Sequence, residues 1–320
     1  MKKIDLLKPY PSYKANLHCH STLSDGALSP EELKDAYKNK GYSIVAYTDH
    51  RVYAWHKELT DDNFLALAAY EVDMNEWPDR PNGFDRVKTY HLNLYDKQPA
   101  LDKEAVLPER RYGDMDYLNH YIESMRQKGF LVCYNHPYWS LQTLDDYRDI
   151  RGCFAMEIYN HGCEIDGLYG YNPQVYDEML RTGNRLACVS TDDNHNTYPF
   201  GHPMCDSFGG FIMVQAPSLD YGAVMQALEQ GDFYSSMGPE FYEISLEGRT
   251  LRIDCSPVQK IYVQTQGRFC HKAVAPVGET LTHAEFELNG NEGYIRVDLR
   301  DAQGLHANSN AYFLDEVLFG

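Results

Sequence analysis

The sequence predicts an α/β fold with a parallel main sheet, followed by a small antiparallel β domain. From residue 12 to about residue 240, strand-like runs and helix-like runs alternate along the chain. After about residue 240, short segments of alternating polar and apolar residues are separated by Gly, Asn or Pro turns. Alternating strands and helices are typical of a parallel sheet, which is either open and doubly wound or closed into a barrel.

The length of the chain fits a large domain with a small companion. It has 320 residues, of which 43% are hydrophobic and 24% are charged, as in ordinary folded proteins. We place the domain boundary between residues 243 and 244. The second domain, 244–320, is expected to be an antiparallel β-sandwich, and its role is either packing and dimer formation or substrate binding.

The first predicted strand, 16–20, leads through a loop to a helix with a clear start. Ser29 is its N-cap, Pro30 occupies the first helical position, and Glu32 completes a capping box. The helix is expected to end at Gly41. Further strands are predicted at 42–50, 66–71 and 90–95, and the polar stretch 79–112 is expected to hold a long loop over one end of the sheet.

The alternation then continues to residue 230. Helices are predicted at 115–128, 173–184 and 218–230, with a helix-like segment at 144–152. Strands are predicted at 130–137, 154–160, 186–195 and 209–216. The antiparallel segments of the last part are predicted at 241–248, 251–255, 260–267, 284–290 and 294–304.

Charge and cysteine content exclude several classes of function. With 29 Lys+Arg against 47 Asp+Glu, the net charge is −18, which argues against bulk binding to nucleic acid or to an anionic membrane. No apolar run approaches the ~20 residues that span a bilayer, and the start of the chain lacks a signal-peptide core. The eight cysteines include no CxxC pair. We expect a cytoplasmic protein with free thiols, with a homo-oligomer left open.

Polar residues that bind metals recur at the ends of the predicted strands. They are His18, His20, Asp49, His50, Glu71, His91, Asn135, His136, Glu157, Asn160, Asp192, Asp193, Asn194 and His195. The carboxyl ends of the strands carry the ligand site in barrels and in open sheets alike. Mixed imidazole and carboxylate ligands suit Zn, Fe or Mn. The number of such residues predicts two or three divalent ions that share a bridging carboxylate.

Each of these motifs alone has a plainer interpretation. His18 and His20 lie on one face of a strand, yet such a pair is often incidental. Glu71 could be a satisfied core carboxylate, and His136 could simply close a strand. Their joint occurrence in one alternating domain favours a multinuclear metal site, because buried charges must be paired or must coordinate metal.

These residues resemble an ordered set of motifs in the PHP (polymerase and histidinol phosphatase) superfamily. The matching segments are HCHSTLSDG at 18–26, TDH at 48–50, Glu71, His91, NHP at 135–137, EIYN at 157–160 and DNH at 193–195. The resemblance covers about residues 12–240. It implies a distorted (β/α)7 TIM-like barrel with a metal cluster at its C-terminal face. The segments after residue 230 resemble a branch of the family with an appended β domain.

The resemblance also implies which side chains hold which ion. His18, His20, Glu71 and Asp193 would hold the first, Glu71 would bridge to a second on His91 and His136, and Asp25, His50 and His195 would hold the third. The family's usual last motif, Gly-Ser-Asp-x-His, reads here as residues 190–195 with two adjacent aspartates. The spacing selects Asp193 as the ligand and leaves Asp192 as its outer partner.

The implied function is a metal-dependent phosphoesterase that attacks a small phosphorylated molecule, such as a nucleotide, with a metal-activated hydroxide. Glu71 and Asp193 would carry the metals. Arg51 is either an anion clamp or a solvated loop arginine. His202, like His161, is either a general acid or substrate contact or an exposed loop histidine. Tyr138, Tyr159 and Tyr198 lie beside motif residues, where they line a pocket for a ring-bearing substrate or only pack.

Two other functions stay open from the sequence. The same metal cluster serves an ester, amide or carbamate hydrolase, a substrate assignment found in the branch with the appended β domain. A non-catalytic, metal-stabilised binding module is the third interpretation. Such a module would have no hydrolase activity, and replacing a ligand such as Asp193 or His136 would lower its thermal stability.

Overall fold

The computed structural model describes residues 3–76 and 87–319. In these residues the strands are β1 Lys3–Asp5, β2 Ser12–Asn16, β3 Ile44–Tyr47, β4 Leu65–Asn75, β5 Thr89–Asp96, β6 Phe130–Tyr134, β7 Ala155–Asn160, β8 Ala187–Thr191, β9 Phe211–Gln215 and β10 Phe233–Ser236. The later strands are β11 Phe241–Glu247, β12 Thr250–Val258, β13 Lys260–Thr265, β14 Cys270–Val274, β15 Leu281–Glu287, β16 Tyr294–Arg300, β17 His306–Ser309 and β18 Tyr312–Phe313.

The helices of the described residues are α1 Pro30–Asn39, α2 Met115–Gln127, α3 Leu144–Tyr147, α4 His161–Gly167, α5 Pro173–Arg181, α6 Tyr221–Gln230 and α7 Leu314–Phe319. Four of the helices correspond to predicted ones, α3 is shorter than the predicted segment 144–152, and α4 and α7 were not predicted. The capping box between Ser29 and Glu32 is confirmed, since each side chain hydrogen-bonds to the other's backbone. No helix in residues 3–76 and 87–319 is long and apolar enough to cross a membrane.

The main sheet is mixed, so the prediction of a parallel sheet was wrong in part. Its strand order is β14-β13-β16-β17-β10-β9-β2-β3-β4-β5-β6-β7-β8, with β18 beside β16. Strand β5 runs antiparallel to both β4 and β6, and β9 runs antiparallel to β2. Every residue of β5 is buried. Its sequence, TYHLNLYD, mixes polar and apolar residues, and neither this mixture nor the burial indicates which way the strand runs.

The strand order does not confirm a closed TIM-like barrel. Among the described strands, β8 has a ladder only with β7. The loops beyond β2 and β8 nevertheless meet, through a bridge between Cys19 and Asn194. The Asp193 amide donates to the His18 carbonyl at 2.9 Å, and the His20 amide donates to the Asn194 carbonyl at 3.1 Å. These bonds join the two loops that carry most of the predicted metal ligands.

The last part of the chain contributes to two sheets. Strands β1, β11, β12 and β15 form a four-stranded antiparallel sheet. Strands β13, β14, β16 and β17 extend the main sheet instead, and an apolar core fills the space between the two layers. Antiparallel β structure was expected here. The domain boundary at 243/244 stays a prediction; it falls inside β11, which pairs with β1 near the start of the chain.

The polar stretch 79–112 was expected to hold a long loop. Residues 79–86 lie outside the described part of the chain. Strand β5 follows at Thr89–Asp96, and most of 97–114 is irregular. In that irregular stretch, the Tyr70 hydroxyl accepts a hydrogen bond from the Val106 amide at 3.1 Å, which ties the loop to β4.

Candidate metal centre

All nine residues predicted as metal ligands lie close together at one edge of the main sheet. His18, His20 and Asp25 follow β2, His50 follows β3, Glu71 lies in β4, His136 follows β6, and Asp193 and His195 follow β8. His91 differs, because it lies near the start of β5. Strand β5 runs antiparallel to its neighbours, so its start reaches the same edge as the other strands' ends.

Three groups of these side chains have ligand atoms within 4.8 Å of one another. The groups are His20, Asp25, His50 and His195; His18, His20 and Asp193; and Glu71, His91 and His136. This division resembles the three sets implied by the family, with two differences. Glu71 falls only in the group with His91 and His136, and not in the group with His18. His20 belongs to two groups, so it lies between two neighbouring candidate sites.

Glu71 is the side chain that connects the groups. Its Oε1 lies 3.0 Å from Nδ1 of His91 and 3.3 Å from Nε2 of His18, and its Oε2 lies 2.9 Å from Nδ1 of His50. Asn135 donates a hydrogen bond to Oε1 at 2.9 Å and fixes the carboxylate. Glu71 therefore occupies the position that a bridging ligand requires.

Asp193 lies opposite Glu71 in the cluster. Its Oδ1 is 3.1 Å from Nε2 of His18 and 3.0 Å from Nε2 of His20, while its Oδ2 is 3.7 Å from Nε2 of His136. The neighbouring Asp192 points elsewhere. Its carboxylate accepts hydrogen bonds from the Tyr37 hydroxyl and from the amides of residues 208–210, so it holds a loop in place.

The outer group is more open to solvent than the other two. The Asp25 side chain is 56% exposed, and its oxygens lie 3.5 Å from Nε2 of His195, 3.6 Å from Nε2 of His50 and 3.8 Å from Nδ1 of His20. This is the side from which a substrate can reach the cluster, since His18 and Glu71 are completely or almost completely buried.

Glu157 is a buried carboxylate that orients the ligands from behind. Its Oε1 lies 2.7 Å from Nδ1 of His18 and accepts from the Thr191 hydroxyl at 2.7 Å. Its Oε2 accepts from the His136 amide at 3.0 Å and from the Asn160 side chain at 2.9 Å. Such outer partners fix the tautomer and ring orientation of a metal-binding histidine.

The backbone at the site is strained or crowded at several positions. His136, Asp193 and Arg51 have positive φ values of 23°, 52° and 60°. Left-handed backbone of this kind in non-glycine residues clusters at functional sites. Gly26 is required for a different reason, because a Cβ there would lie 2.3 Å from the His20 carbonyl oxygen.

The charges in the cluster balance without any lysine or arginine. Among the described residues, the ion-pair partners of Glu71, Asp193 and Glu157 are all histidines. Burial alone would raise the pKa of the Glu71 carboxyl, but the surrounding imidazoles outweigh it and hold that pKa well below its usual range. The pKa of Asp193 is lowered in the same way, against burial, chiefly by His18.

The histidines divide into two kinds. Burial lowers the pKa of His20 to about 4, so this imidazole is neutral and free to act as a ligand. Burial also opposes the charged form of His50 and of His195, yet Glu71 raises the pKa of His50 to about 8 and Asp25 raises the pKa of His195 to about 9.

The donor set fits divalent metal ions. Several buried ligand atoms form no hydrogen bond within the described part of the chain: Nε2 of His18, Nδ1 and Nε2 of His20, Oε2 of Glu71 and Nε2 of His91. Leaving such atoms without a partner is costly in a protein interior. Cations held by mixed imidazole and carboxylate ligands would satisfy them, and this ligand mixture suits Zn, Fe or Mn.

Arg51 and His202 lie outside the three groups. The Arg51 guanidinium forms an ion pair with Asp73 at 2.9 Å, so a clamp role would require it to share its donors with a substrate. His202 is exposed and stacks on Tyr198 with ring centroids 4.6 Å apart. Nδ1 of His161 lies 2.8 Å from the Tyr159 hydroxyl. The catalytic roles of Arg51 and His202 stay predictions.

A cavity of about 290 Å³ opens beside Asp193 and His195. Its other lining residues include aromatic and apolar side chains, and none of those in the described part of the chain is a lysine or an arginine. They are Trp139, Gly162, Cys163, Ile165, Asp166, Thr197, Tyr198, Met204 and Asp206. Tyr198 thus lies where a pocket was expected, whereas Tyr138 and Tyr159 are not part of its lining.

Several important side chains received no role from the sequence. Glu157 and Asn135 were recognised only as polar residues at strand ends. Trp139 lines the cavity and packs edge-on against His136, with ring centroids 5.2 Å apart, yet no motif marks it. For Glu157, its place in the apolar run of β7 was a further signal, because a carboxylate inside an entirely buried strand requires partners.

Comparison with known protein families gives a match over more than half of the chain. A family model for the PHP domain matches residues 16–190. The matched range contains all the predicted metal ligands except Asp193 and His195, which follow it by a few residues.

Two characterised bacterial proteins are similar over shorter stretches. The DNA polymerase/3'-5' exonuclease PolX of Bacillus subtilis is 52% identical over 60 residues, which is 19% of this chain and 10% of that protein. The 5'-3' exoribonuclease of Haemophilus influenzae is 33% identical over 103 residues, 29% of this chain and 37% of that protein. The matched stretches thus span a tenth and just over a third of these relatives.

One solved structure is similar over nearly the whole length. A two-domain protein from Bacteroides vulgatus, containing a predicted PHP-like metal-dependent phosphoesterase, matches with a TM-score of 0.49 and 15% identity. The match covers 95% of this chain and 96% of the other.

Proposed function

Because this chain belongs to the PHP domain family, we propose that it is a metal-dependent hydrolase that cleaves a small phosphorylated molecule, with nucleotides among the candidates. The observation that carries the proposal is the cluster of buried imidazole and carboxylate atoms without hydrogen-bond partners at the edge of the main sheet. Two or three divalent ions would satisfy these atoms, with Glu71 between two of them.

The three groups of side chains would hold the ions as the geometry divides them. His18, His20 and Asp193 would hold one, Glu71, His91 and His136 another, and Asp25, His50 and His195 a third together with His20. When bound, divalent ions supply a low-pKa water and neutralise the oxygens of a phosphoryl group.

The protein's own residues set the geometry for this chemistry. Glu157 and Asn135 fix His18 and Glu71 through hydrogen bonds of 2.7 Å and 2.9 Å. Because these ligands are already fixed in position, the site needs little reorganisation when negative charge develops on the substrate during the reaction. Among residues 3–76 and 87–319, the neighbouring cavity has no lysine or arginine in its lining, so we infer that the negative charge of a substrate is met at the cluster itself.

The cavity beside Asp193 accommodates the group that leaves. Trp139, Tyr198 and Met204 give it flat and apolar walls, and Asp166 and Asp206 make it unfavourable for a second anionic group. We infer that the leaving group is uncharged and carries a ring. His202 does not line the cavity itself but stacks on Tyr198, which does, and we propose that it delivers a proton to the departing oxygen.

The test is hydrolysis by the purified protein loaded separately with Mn, Fe or Zn. We expect turnover of aryl and nucleoside phosphates that exceeds turnover of aryl esters and carbamates. An Asp193→Asn variant should lose the activity, while an Asp145→Asn variant, altered at an exposed site on α3, should keep it. Absence of phosphate release with the metals confirmed in place would refute the proposal, and a faster carboxyl-ester reaction would assign the cluster to that chemistry instead.

A further inference from the structure

A second cavity, of about 490 Å³, lies between α5 and the outer face of the sheet formed by β13, β16 and β17. This volume is in the range of sites for small organic molecules. The alternate residues of these strands, among them Ile261, Val263 and Leu299, point into the apolar core on the other side. The polar residues of the outer face are therefore fixed in position by a packed sheet.

Two cationic side chains and a histidine form a row across this face, and burial lowers the pKa of His306, so that its ring is neutral at pH 7. Lys260 of β13 is paired in register with Arg300 of β16, and Arg300 is paired with His306 of β17. All three line the cavity. Neither Lys260 nor Arg300 has a carboxylate within 4.0 Å among residues 3–76 and 87–317. Like charges directly opposite one another on adjacent strands repel, so an anion bound between Lys260 and Arg300 would stabilise this pair.

The acidic residues of the cavity are already paired. Arg296 binds Asp177 at 2.8 Å and Asp298 at 2.6 Å, and its side chain is 2% exposed. Lys260 and Arg300 thus carry the charge that remains uncompensated, in a protein whose net charge is −18. An excess of positive charge concentrated at this cavity contrasts with the acidic character of the chain as a whole.

Aromatic side chains flank the basic row. Tyr171 packs on His306 with ring centroids 4.6 Å apart. Tyr262 is the next residue of β13 on the same face as Lys260. Asn308 is fully buried beside them and donates to the Tyr171 hydroxyl at 3.2 Å, while its Oδ1 has no hydrogen-bond partner within the described residues. Asn308 thus holds Tyr171 from behind the cavity, and the cavity itself offers cations and flat ring surfaces.

We propose that this cavity binds a small organic phosphate that carries a planar ring. The phosphoryl group would lie on Lys260, Arg300 and His306, since a doubly charged group matches this row better than a carboxylate does. The ring would pack against Tyr171 and Tyr262. This site is separate from the metal cluster and does not depend on the reaction proposed there.

Phenylphosphonate is a suitable probe, because its carbon–phosphorus bond resists hydrolysis. The ring resonances of Tyr262 and His306 in the full-length protein would be followed by NMR during a titration. We expect saturable shifts in the wild type, weaker binding in high salt, and weaker binding of inorganic phosphate, which lacks the ring.

The variants separate this site from others. Lys260→Gln combined with Arg300→Gln should weaken phenylphosphonate binding by at least about tenfold, because two charged hydrogen-bond donors are lost. Arg252→Gln is the matched control, since Arg252 is a strand arginine that pairs with Glu285 in the other sheet. His306→Gln provides a second test that removes the ring and leaves both cations in place, and its affinity should fall between those of the wild type and the double variant. Shifts that never saturate, or an affinity in the double variant within twofold of the wild type, would overturn the proposal.

Discussion

The Glu157 carboxylate lies 2.7 Å from Nδ1 of His18, and this contact directs Nε2 of the same ring towards Glu71 and Asp193. Four donors converge on Glu157: the His18 ring, the Thr191 hydroxyl, the His136 amide and the Asn160 side chain. The carboxylate accepts from all four at once. One side chain thus couples the ends of β2, β6, β7 and β8 at the metal centre.

Replacing Glu157 by glutamine should therefore weaken metal binding. An amide has one acceptor oxygen, so its NH₂ group must face two of the four donors, and His18 loses its fixed tautomer. We expect metal affinity to fall by about 10–100-fold, as for other outer partners of metal ligands. Dialysis against competing chelators, followed by elemental analysis, measures this. Glu229→Gln, at an exposed residue of α6, is the control, and equal affinities in the two variants would contradict the role given to Glu157.

Metal removal should lower stability in the wild type. Glu71 and His18 are buried, and several ligand atoms of the cluster form no hydrogen bond within the described residues, so ions bound there favour the folded state. An ion at a hundred times its Kd stabilises the fold by about 2.7 kcal/mol. Thermal unfolding with Mn or Zn, and then with a chelator, should show a higher Tm with metal. A Tm that does not respond would mean that the cluster binds no such ion.

Gly26 should not tolerate even a methyl group. A Cβ at this position would lie 2.3 Å from the backbone oxygen of His20 and 2.8 Å from the amide nitrogen of Ser21, and neither atom can move without shifting the ligands. Gly26→Ala should destabilise the protein by about 1–3 kcal/mol, as overpacking does, and reduce its metal content. Gly267→Ala is the control, because the nearest atom to its added Cβ is a side-chain oxygen at 3.9 Å. Normal metal content in Gly26→Ala would show that the loop adapts.

The site residues that could be predicted from the sequence are mainly those with charged or polar side chains, whose burial costs free energy. Histidines and carboxylates at strand ends are conspicuous in sequence, so the clustering of residues such as His18 and Glu71 could be anticipated. His91 was marked too, although the reason given for its position was incomplete. His91 reaches the cluster because β5 is antiparallel to its neighbours, and the sequence of a fully buried strand does not indicate its direction.

The side chains that shape the site were harder to find. Trp139, Met204 and Asp206 lie on loops, where no periodicity relates one residue to another, and the tertiary fold alone brings them beside His195. The same holds for the pairing of Arg51 with Asp73, which depends on the path of the chain after β3. Sequence spacing predicts contacts along one element, and it does not predict contacts between loops.

Asp146 should make stability depend on pH in the acid range. Its carboxylate accepts hydrogen bonds from Lys88 at 2.6 Å, Tyr112 at 2.8 Å and the Thr143 amide at 2.8 Å. Burial opposes ionisation, but these donors outweigh it, and the pKa of Asp146 lies below its usual value. A lowered carboxyl pKa contributes stability above the unfolded pKa, about 3.9, and this contribution is lost as the pH falls through the folded value.

Asp146→Asn should accordingly destabilise the protein by about 1–3 kcal/mol at pH 7, and the difference from the wild type should shrink below about pH 4. Urea unfolding at a series of pH values measures this. The neighbouring Asp145 is exposed, so Asp145→Asn should unfold like the wild type throughout. A difference for Asp146→Asn that stays constant from pH 7 to pH 3 would contradict the assignment.

The leaving-group cavity gives the sharpest test of substrate choice. Tyr198 lines it and stacks on His202, so Tyr198→Ala should raise KM for aryl phosphates by about 5–100-fold, in line with the value of ring stacking, and change KM little for small alkyl phosphates. Tyr242→Ala, at an exposed tyrosine of β11, should match the wild type.

His202→Ala should lower kcat for alkyl phosphates, whose leaving group needs a proton, and leave kcat unchanged for nitrophenyl phosphate, whose leaving group does not need one. Equal losses for both substrates in His202→Ala would assign that residue to loop structure instead of proton transfer.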